Sequence, residues 1–293
     1  MLGEDFHELR ERRAISLRVA AGAVTSPATL SKFENGVGDL GISHLVQCLD
    51  NMDSSLVEFA SMSDPSTGNL HSFLHQAVDA YNVRNLQELR YLIEEQSDRY
   101  QQQHTLVAFH DLVSAAGLYC DITGEKLLPD ADLKQLVDEL TATNSWGEAE
   151  ITVFGNAVGL LGDDCLLAVA KSLLLHLNDI NVHNHARYQD AWTALLNTLD
   201  EFTKRGSIHA DEFIEYLAQK DIPENIMLIK WRFLFLRDCR RAAVTPDEAH
   251  YAAVDQQLAF LQFVNDQMLY EHYRMQAADI LGKTYLERGG DAS

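Results

Sequence analysis

Ser26-Pro-Ala-Thr-Leu-Ser-Lys-Phe-Glu-Asn-Gly36 reads as one short helix with both of its ends written out. Ser26 is the N-cap, its hydroxyl facing backbone N–H groups that have no helical partner. Pro27 takes the first helical position, where a missing N–H costs nothing. Leu30 and Phe33 fall on one face and point inward, whereas Ala28, Thr29 and Lys32 fall on another. Side chains as short as Ala28 and Thr29 at a helix start let the backbone approach base edges in a major groove, and Thr29 can meet a base edge or a thymine methyl. Just upstream, Ala23-Val-Thr-Ser26 has the length of the turn in a helix-turn-helix, and it follows a helix over Leu17–Gly22 that Ser16 caps. Ala20 and Ala21 are small enough for a close crossing, and Ile15 adds to the inward face. The flanking sequence completes a domain over residues 1–61, with helical stretches at Asp5–Arg13, Leu17–Gly22, Pro27–Asn35, Ile42–Met52 and Ser55–Ser61.

Met62-Ser-Asp-Pro-Ser-Thr-Gly-Asn69 is rich in turn formers and has no apolar period, so residues 62–69 are expected to be a linker. Beyond it, residues 70–293 repeat one pattern, an apolar stripe at helical spacing followed by a short polar turn. The expected helices are 70–83, 86–100, 104–120, 130–141, 146–161, 163–178, 183–204, 208–220, 224–241, 246–265 and 268–288. Gly117, Gly124, Gly162 and Gly206 stand at or near their ends, where a left-handed C-cap favours glycine. Thr245 is the expected N-cap ahead of Pro246, with Asp247 and Glu248 at the positive end of the helix dipole. So many helices with short connections predict an all-α chain whose second domain stacks antiparallel pairs into a tetratricopeptide-like helical-repeat superhelix. No strict 34-residue repeat is present, so a compact bundle is the alternative.

Composition narrows the function. With 293 residues, 46% of them hydrophobic and 23% charged, the chain can bury a real core, which excludes a disordered or disulfide-scaffold protein. The net charge of −21 argues against broad, non-specific binding to nucleic acid or to an anionic membrane. A local DNA-binding face is still allowed, although residues 1–61 hold only five Lys and Arg against nine Asp and Glu. No apolar run approaches the roughly 18 residues that span a bilayer, and the chain start lacks the pattern of a signal peptide, so a cytoplasmic protein with no membrane partner is expected. Cys48, Cys120, Cys165 and Cys239 lie far apart and read as buried thiols, with Cys48 in the core or at a dimer contact.

The string Leu9-Arg10-x-x-Arg13-x-x-Ser16, followed by Ser26-x-x-x-Leu30-Ser-Lys-Phe-Glu-x-Gly36, resembles the helix-turn-helix domain of the Cro/repressor superfamily. Together with Leu45…Leu49-Asp-Asn-Met52…Ser55-Leu-x-Glu-Phe59, it is similar to the Rgg/GadR/MutR transcriptional regulators of Gram-positive bacteria. The large domain resembles that family less closely, through Trp146-Gly-Glu-Ala-Glu150, Phe154-x-Asn156, Arg187 and Leu195-Leu-Asn197. The resemblance implies a homodimer of two-domain chains that binds double-stranded promoter DNA. It also implies a short hydrophobic signalling peptide, of the quorum-sensing type, on the concave face of the superhelix. This sequence departs from the family in its acidic, Arg-poor first domain, which makes DNA affinity depend on dimerisation.

Arg10, Arg13, Ser16, Arg18, Ser26, Ala28, Thr29 and Lys32 are therefore the candidate DNA contacts. The cations meet phosphates, and the two serines offer a hydroxyl or a helix N-terminal N–H while also capping their own helices. Glu34 would be repelled by phosphate unless it pairs with a nearby cation such as an Arg of the first helix, so a structural role is expected. Asn156, Arg187 and Asn197 are the peptide candidates, because an amide both donates to and accepts from a backbone and Arg clamps oxygens. Trp146, Phe154, Lys230 and Trp231 are the weaker members of that set, since aromatics at helical spacing are usually core. His183-Asn-His185, with His176 and Asp179 nearby, has no further ligands at fixed spacing, so neither a metal nor a cofactor is expected. No nucleophile-elbow, phosphate-loop or zinc-hydrolase motif supports an enzyme. The rivals are an interaction module that has lost DNA binding and a regulator that works without a ligand.

Overall fold

A computed structural model describes residues 2–62, 69–183, 185–222, 226–282 and 285, and the regular structure among them is helical throughout. The first helices are α1 (Leu2–Arg12), α2 (Leu17–Ala21), α3 (Pro27–Glu34), α4 (Ile42–Asp50), α5 (Leu56–Met62) and α6 (Asn69–Asn82). Then come α7 (Leu86–Gln103), α8 (Leu106–Thr123), α9 (Asp130–Ala142), α10 (Glu148–Ala157) and α11 (Asp163–His183). The last are α12 (His185–Lys204), α13 (His209–Ala218), α14 (Met227–Val244), α15 (Glu248–Phe263) and α16 (Gln267–Leu281). The chain divides into two compact units, residues 1–76 and 77–293. Residues 63–68 of the expected linker, Asn184 between the paired histidines, 224–225 and 286–288 lie outside the described residues.

In the first unit, α1 to α5 close on Phe6, Leu9, Leu30, Phe33, Leu49, Met52 and Phe59, with Ala20, Ala21 and Cys48 fully buried among them. Phe6 stands edge-on to Phe33 and Phe59, ring centroids 5.9 and 6.1 Å away, a geometry that suits the quadrupoles of the rings. Ser16 Oγ accepts from Val19 N and Ser26 Oγ from Thr29 N, at 3.3 and 3.0 Å, so both expected caps start their helices. Gly3 is the small residue at the crossing of α1 with α3, since a Cβ there would stand 2.0 Å from the Phe33 carbonyl oxygen.

The second unit is a two-layer stack. One row runs α8, α10, α12, α14, α16, each helix packed on the next, with α12 also reaching α16. The other holds α7, α9, α11, α13 and α15, which pack behind it. This is the superhelical arrangement of paired helices expected from the pattern of apolar stripes. α8 is long and apolar enough by composition to cross a bilayer, against the sequence expectation, yet 72% of it is buried inside this unit. Its apolarity is that of a helix enclosed by α7 and α10.

Several ends differ from the sequence reading. Gly124 and Gly206 do take left-handed backbone, with φ of 72° and 64°. Gly117 instead lies in the middle of α8, where a Cβ would come within 2.0 Å of the Asn156 carbonyl oxygen. It is glycine because α8 and α10 cross there. Gly162 has no left-handed backbone and open space around it. α15 is capped by Asp247, whose Oδ1 accepts from His250 N at 2.9 Å, rather than by Thr245. α10 has no left-handed glycine at its C-terminal end; the carbonyls of the turn that follows it are met by Arg205, which donates to Gly159 O and Leu161 O at 3.0 and 2.8 Å, and by Lys126, which donates to Leu160 O at 2.7 Å. Cations there suit the negative end of the helix dipole. Among the cysteines, Cys48, Cys120 and Cys239 are buried as expected, but Cys165 is exposed.

Candidate DNA-reading face and ligand groove

On α3 the residues divide by phase. Leu30, Phe33 and Glu34 face the core, while Ser26, Ala28, Thr29 and Lys32 are exposed. Ser26 Oγ and Thr29 Oγ1 lie 2.8 Å apart, which fixes the hydroxyl end of that face. Arg18 on α2 is also exposed, and among the described residues neither it nor Lys32 has an ion-pair partner. Together α2 and α3 present a small polar surface with two available cations, and Ser16 stands exposed at the start of α2.

The other two expected phosphate contacts are occupied elsewhere. Arg10 is buried, and it donates from Nε to Glu34 Oε1 at 2.7 Å, from Nη2 to Glu34 Oε2 at 2.9 Å and from Nη1 to Ile15 O at 2.8 Å. Burial by itself would raise the Glu34 carboxyl, but the hydrogen bonds from Arg10 and His7 outweigh it and hold the pKa below the ordinary value. This is the structural pairing expected for Glu34, and it takes Arg10 off the surface. Arg13 donates to Met52 O and Asp53 O at 3.1 and 2.9 Å and to Glu58 Oε1 at 2.5 Å, so it ties α1 to the turn between α4 and α5.

In the second unit, the row of α8, α10, α12, α14 and α16 lines a groove of about 520 Å³. Asn156 and Asn197, both expected from the sequence, lie on its wall, and Gly117, Gly155 and Gly159 leave room beside them. Asn197 Nδ2 donates to Gly155 O at 3.3 Å, and its Oδ1 accepts from Arg232 Nη2 at 2.8 Å. Four carboxylates, Asp121, Asp200, Glu201 and Asp279, face three cations, Arg84, Lys204 and Arg232. Tyr81 donates to Asp121 Oδ2 at 2.6 Å, and Lys204 Nζ lies 2.8 Å from Asp200 Oδ2. Burial works against the Lys204 ammonium, yet attraction to Asp200 prevails and its pKa is raised. Three buried atoms on this wall have no hydrogen-bond partner among the described residues: Asp200 Oδ1, Arg232 Nε and Gln276 Oε1.

The remaining peptide candidates lie outside the groove. Trp146 and Phe154 are core residues in edge-to-face contact at 5.9 Å. In the Trp-Gly-Glu-Ala-Glu string, Glu150 accepts from Gly147 N at 2.9 Å, so that motif serves the start of α10. Trp231 is buried between Phe235 and Tyr273, and its Nε1 donates to Gln257 O at 3.1 Å. Lys230 is exposed on α14, and Arg187 is half-buried on the first turn of α12; neither lines the cavity. Sequence reasoning missed Asp200, Lys204, Arg232 and Gln276. The signal was present as polar stripes at helical spacing, Asn197-Asp200-Glu201-Lys204 and His272-Gln276-Asp279, which a solvated face shares.

Comparison with known proteins agrees with this architecture. The family model described as "HTH-type transcriptional regulator Rgg, C-terminal domain" matches residues 89–275. The SHP pheromone receptor Rgg2 of Streptococcus dysgalactiae is similar in fold, with a TM-score of 0.73 at 18% identity over 94% of this chain and 98% of that one. PrgX in complex with cCF10 is similar at a TM-score of 0.68 and 10% identity, covering 95% of this chain and 99% of that one. PrgX with iCF10 gives a TM-score of 0.68 at 10% identity over 95% of each chain.

Proposed function

Because the chain belongs to the Rgg family of helix-turn-helix transcriptional regulators, we propose that residues 1–61 read a promoter, residues 62–69 join the domains, and residues 70–293 dimerise and take a short signalling peptide in the groove. The observation that carries the peptide reading is the placement of Asn156 and Asn197 together on the groove wall, where an amide can pair with a peptide backbone whatever its side chains. Two fold relatives support it by what they are named for: one is a pheromone receptor, and another is described as a bacterial peptide pheromone/receptor complex. In this reading the protein is cytoplasmic, the peptide is short and hydrophobic, and the net charge of the second unit disfavours an anionic guest. The peptide binds one arrangement of the dimer better than another and so changes the separation or freedom of the two reading heads.

On the DNA side, Arg18 and Lys32 meet phosphates, Ser16 and Ser26 hold helix N-termini toward the backbone, and Ala28 and Thr29 approach the bases. Selection of genomic fragments by the purified full chain, with the bound duplexes sequenced, tests this. A paired motif is expected, one half-site per protomer, that weakens with Thr29→Ala and with Lys32→Ala. Absence of any enriched motif at low salt, from protein shown to be dimeric, would overturn it. The pairing of Arg10 and Arg13 within the first unit favours one second reading, an interaction module without DNA affinity. Duplex binding that falls steeply with salt separates the two, because only a phosphate reader shows it.

A further inference from the structure

The groove wall made by α12, α14 and α16 holds Asp200 at 7% exposure and Gln276 at 9%. Each has a buried oxygen with no donor among the described residues. The two Asp200 oxygens are not alike: Oδ2 is held by Lys204 at 2.8 Å, and Oδ1 is open. Arg232 is divided in the same way, with Nη2 on Asn197 and Nε lacking an acceptor. Folded proteins leave few buried polar atoms unmatched, since each one destabilises the protein. Here three line one cavity, and the other ends of Asp200 and Arg232 are already fixed.

The unmatched set has a definite chemistry. It is two acceptors, one of them anionic, and one donor. A free α-amino terminus supplies the complement, a cation with three N–H donors followed at once by a carbonyl oxygen. A peptide carboxylate would be repelled by Asp200, and a mid-chain peptide group brings no charge. Resting on the peptide reading of the groove, we infer that it recognises the unblocked amino end of its peptide: Asp200 and Gln276 accept from the α-ammonium, and Arg232 Nε donates to the first carbonyl.

Two synthetic octapeptide libraries test this with the full chain. Both are built from Leu, Ile, Val, Ala, Gly, Ser and Asn and amidated at the C-terminus; one has a free amine and the other is N-acetylated. Peptides retained by the protein are identified by mass spectrometry, and the Kd of each is measured by calorimetry in both forms. Retention of free-amine peptides is expected, with affinity falling at least about tenfold on acetylation and with Asp200→Asn bringing the two forms close to parity. Gln276→Leu leaves the Lys204 contact intact and is expected to narrow the same ratio, which keeps the test available should Asp200→Asn fail to fold. Equal binding of both forms, or a preference that neither variant alters, overturns the amino-end assignment and leaves the peptide reading standing. Retention of neither library overturns both.

Discussion

Arg10 and Lys32 are both cations of the helix-turn-helix, and their surroundings send them to different tasks. Arg10 is buried with both guanidinium edges engaged, so Arg10→Ala strands the Glu34 carboxylate and is expected to lower stability by about 3 to 5 kcal/mol in denaturant unfolding. Lys32 is exposed, so Lys32→Ala is expected to change stability by less than about 0.5 kcal/mol while reducing the salt dependence of duplex binding by about one counterion. The sequence led to Glu34 as a paired residue but also placed Arg10 at phosphate, because a list of charges does not say which are already committed to one another. The same limit hid Arg232. It follows Trp231, and a step of about 100° per helical residue turns one into the core and the other into the groove. Asp111 gives a pH test at this scale. Burial raises its carboxyl to about 6, above its unfolded value, so the folded state carries a penalty that is absent below about pH 4, grows between, and is complete above about pH 6. Asp111→Asn is therefore expected to stabilise the chain by up to about 3 kcal/mol at pH 8 and to lose that advantage near pH 4, in paired thermal melts.

Helix number was legible in the second unit because every stripe keeps the same period, and α7, α8, α9 and α12 fall close to where their stripes predict. The caps were less so. Thr245 and Asp247 are equally able to cap, and the choice rests on which one adopts the extended backbone before the first turn. Glycines show the same ambiguity, since a glycine near a turn and a glycine under a neighbouring helix look alike in one dimension. Gly117→Ala raises helix propensity by about 1 kcal/mol, yet it forces α8 and α10 apart. A net loss of about 1 to 3 kcal/mol is expected, with weaker ligand binding because Gly117 also borders the groove. Gly162→Ala meets open space at ordinary backbone angles and is expected to add about 0.4 to 1 kcal/mol. Urea unfolding of the two variants side by side checks both signs.

At the level of the molecule, charge sets how DNA is held. With Arg10, Arg12 and Arg13 each paired to an acid, Arg18 and Lys32 are the cations of the first unit available to phosphate among the described residues. A dimer then neutralises about four phosphates, and log K against log salt is expected to have a slope near −4, about half that for a single protomer. Fluorescence anisotropy of a labelled duplex over a range of salt measures it. The groove could not be read from the sequence, because its wall is assembled from helices far apart in it. The succession of α8, α10, α12, α14 and α16 has a mechanical meaning as well. Each joint bears on the next like a leaf in a spring, so a slight rotation at every joint accumulates along the row. A guest that met both α8 and α16 would fix the bow of the whole spring, and a few atoms of ligand would become a lever on helix ends it never touches.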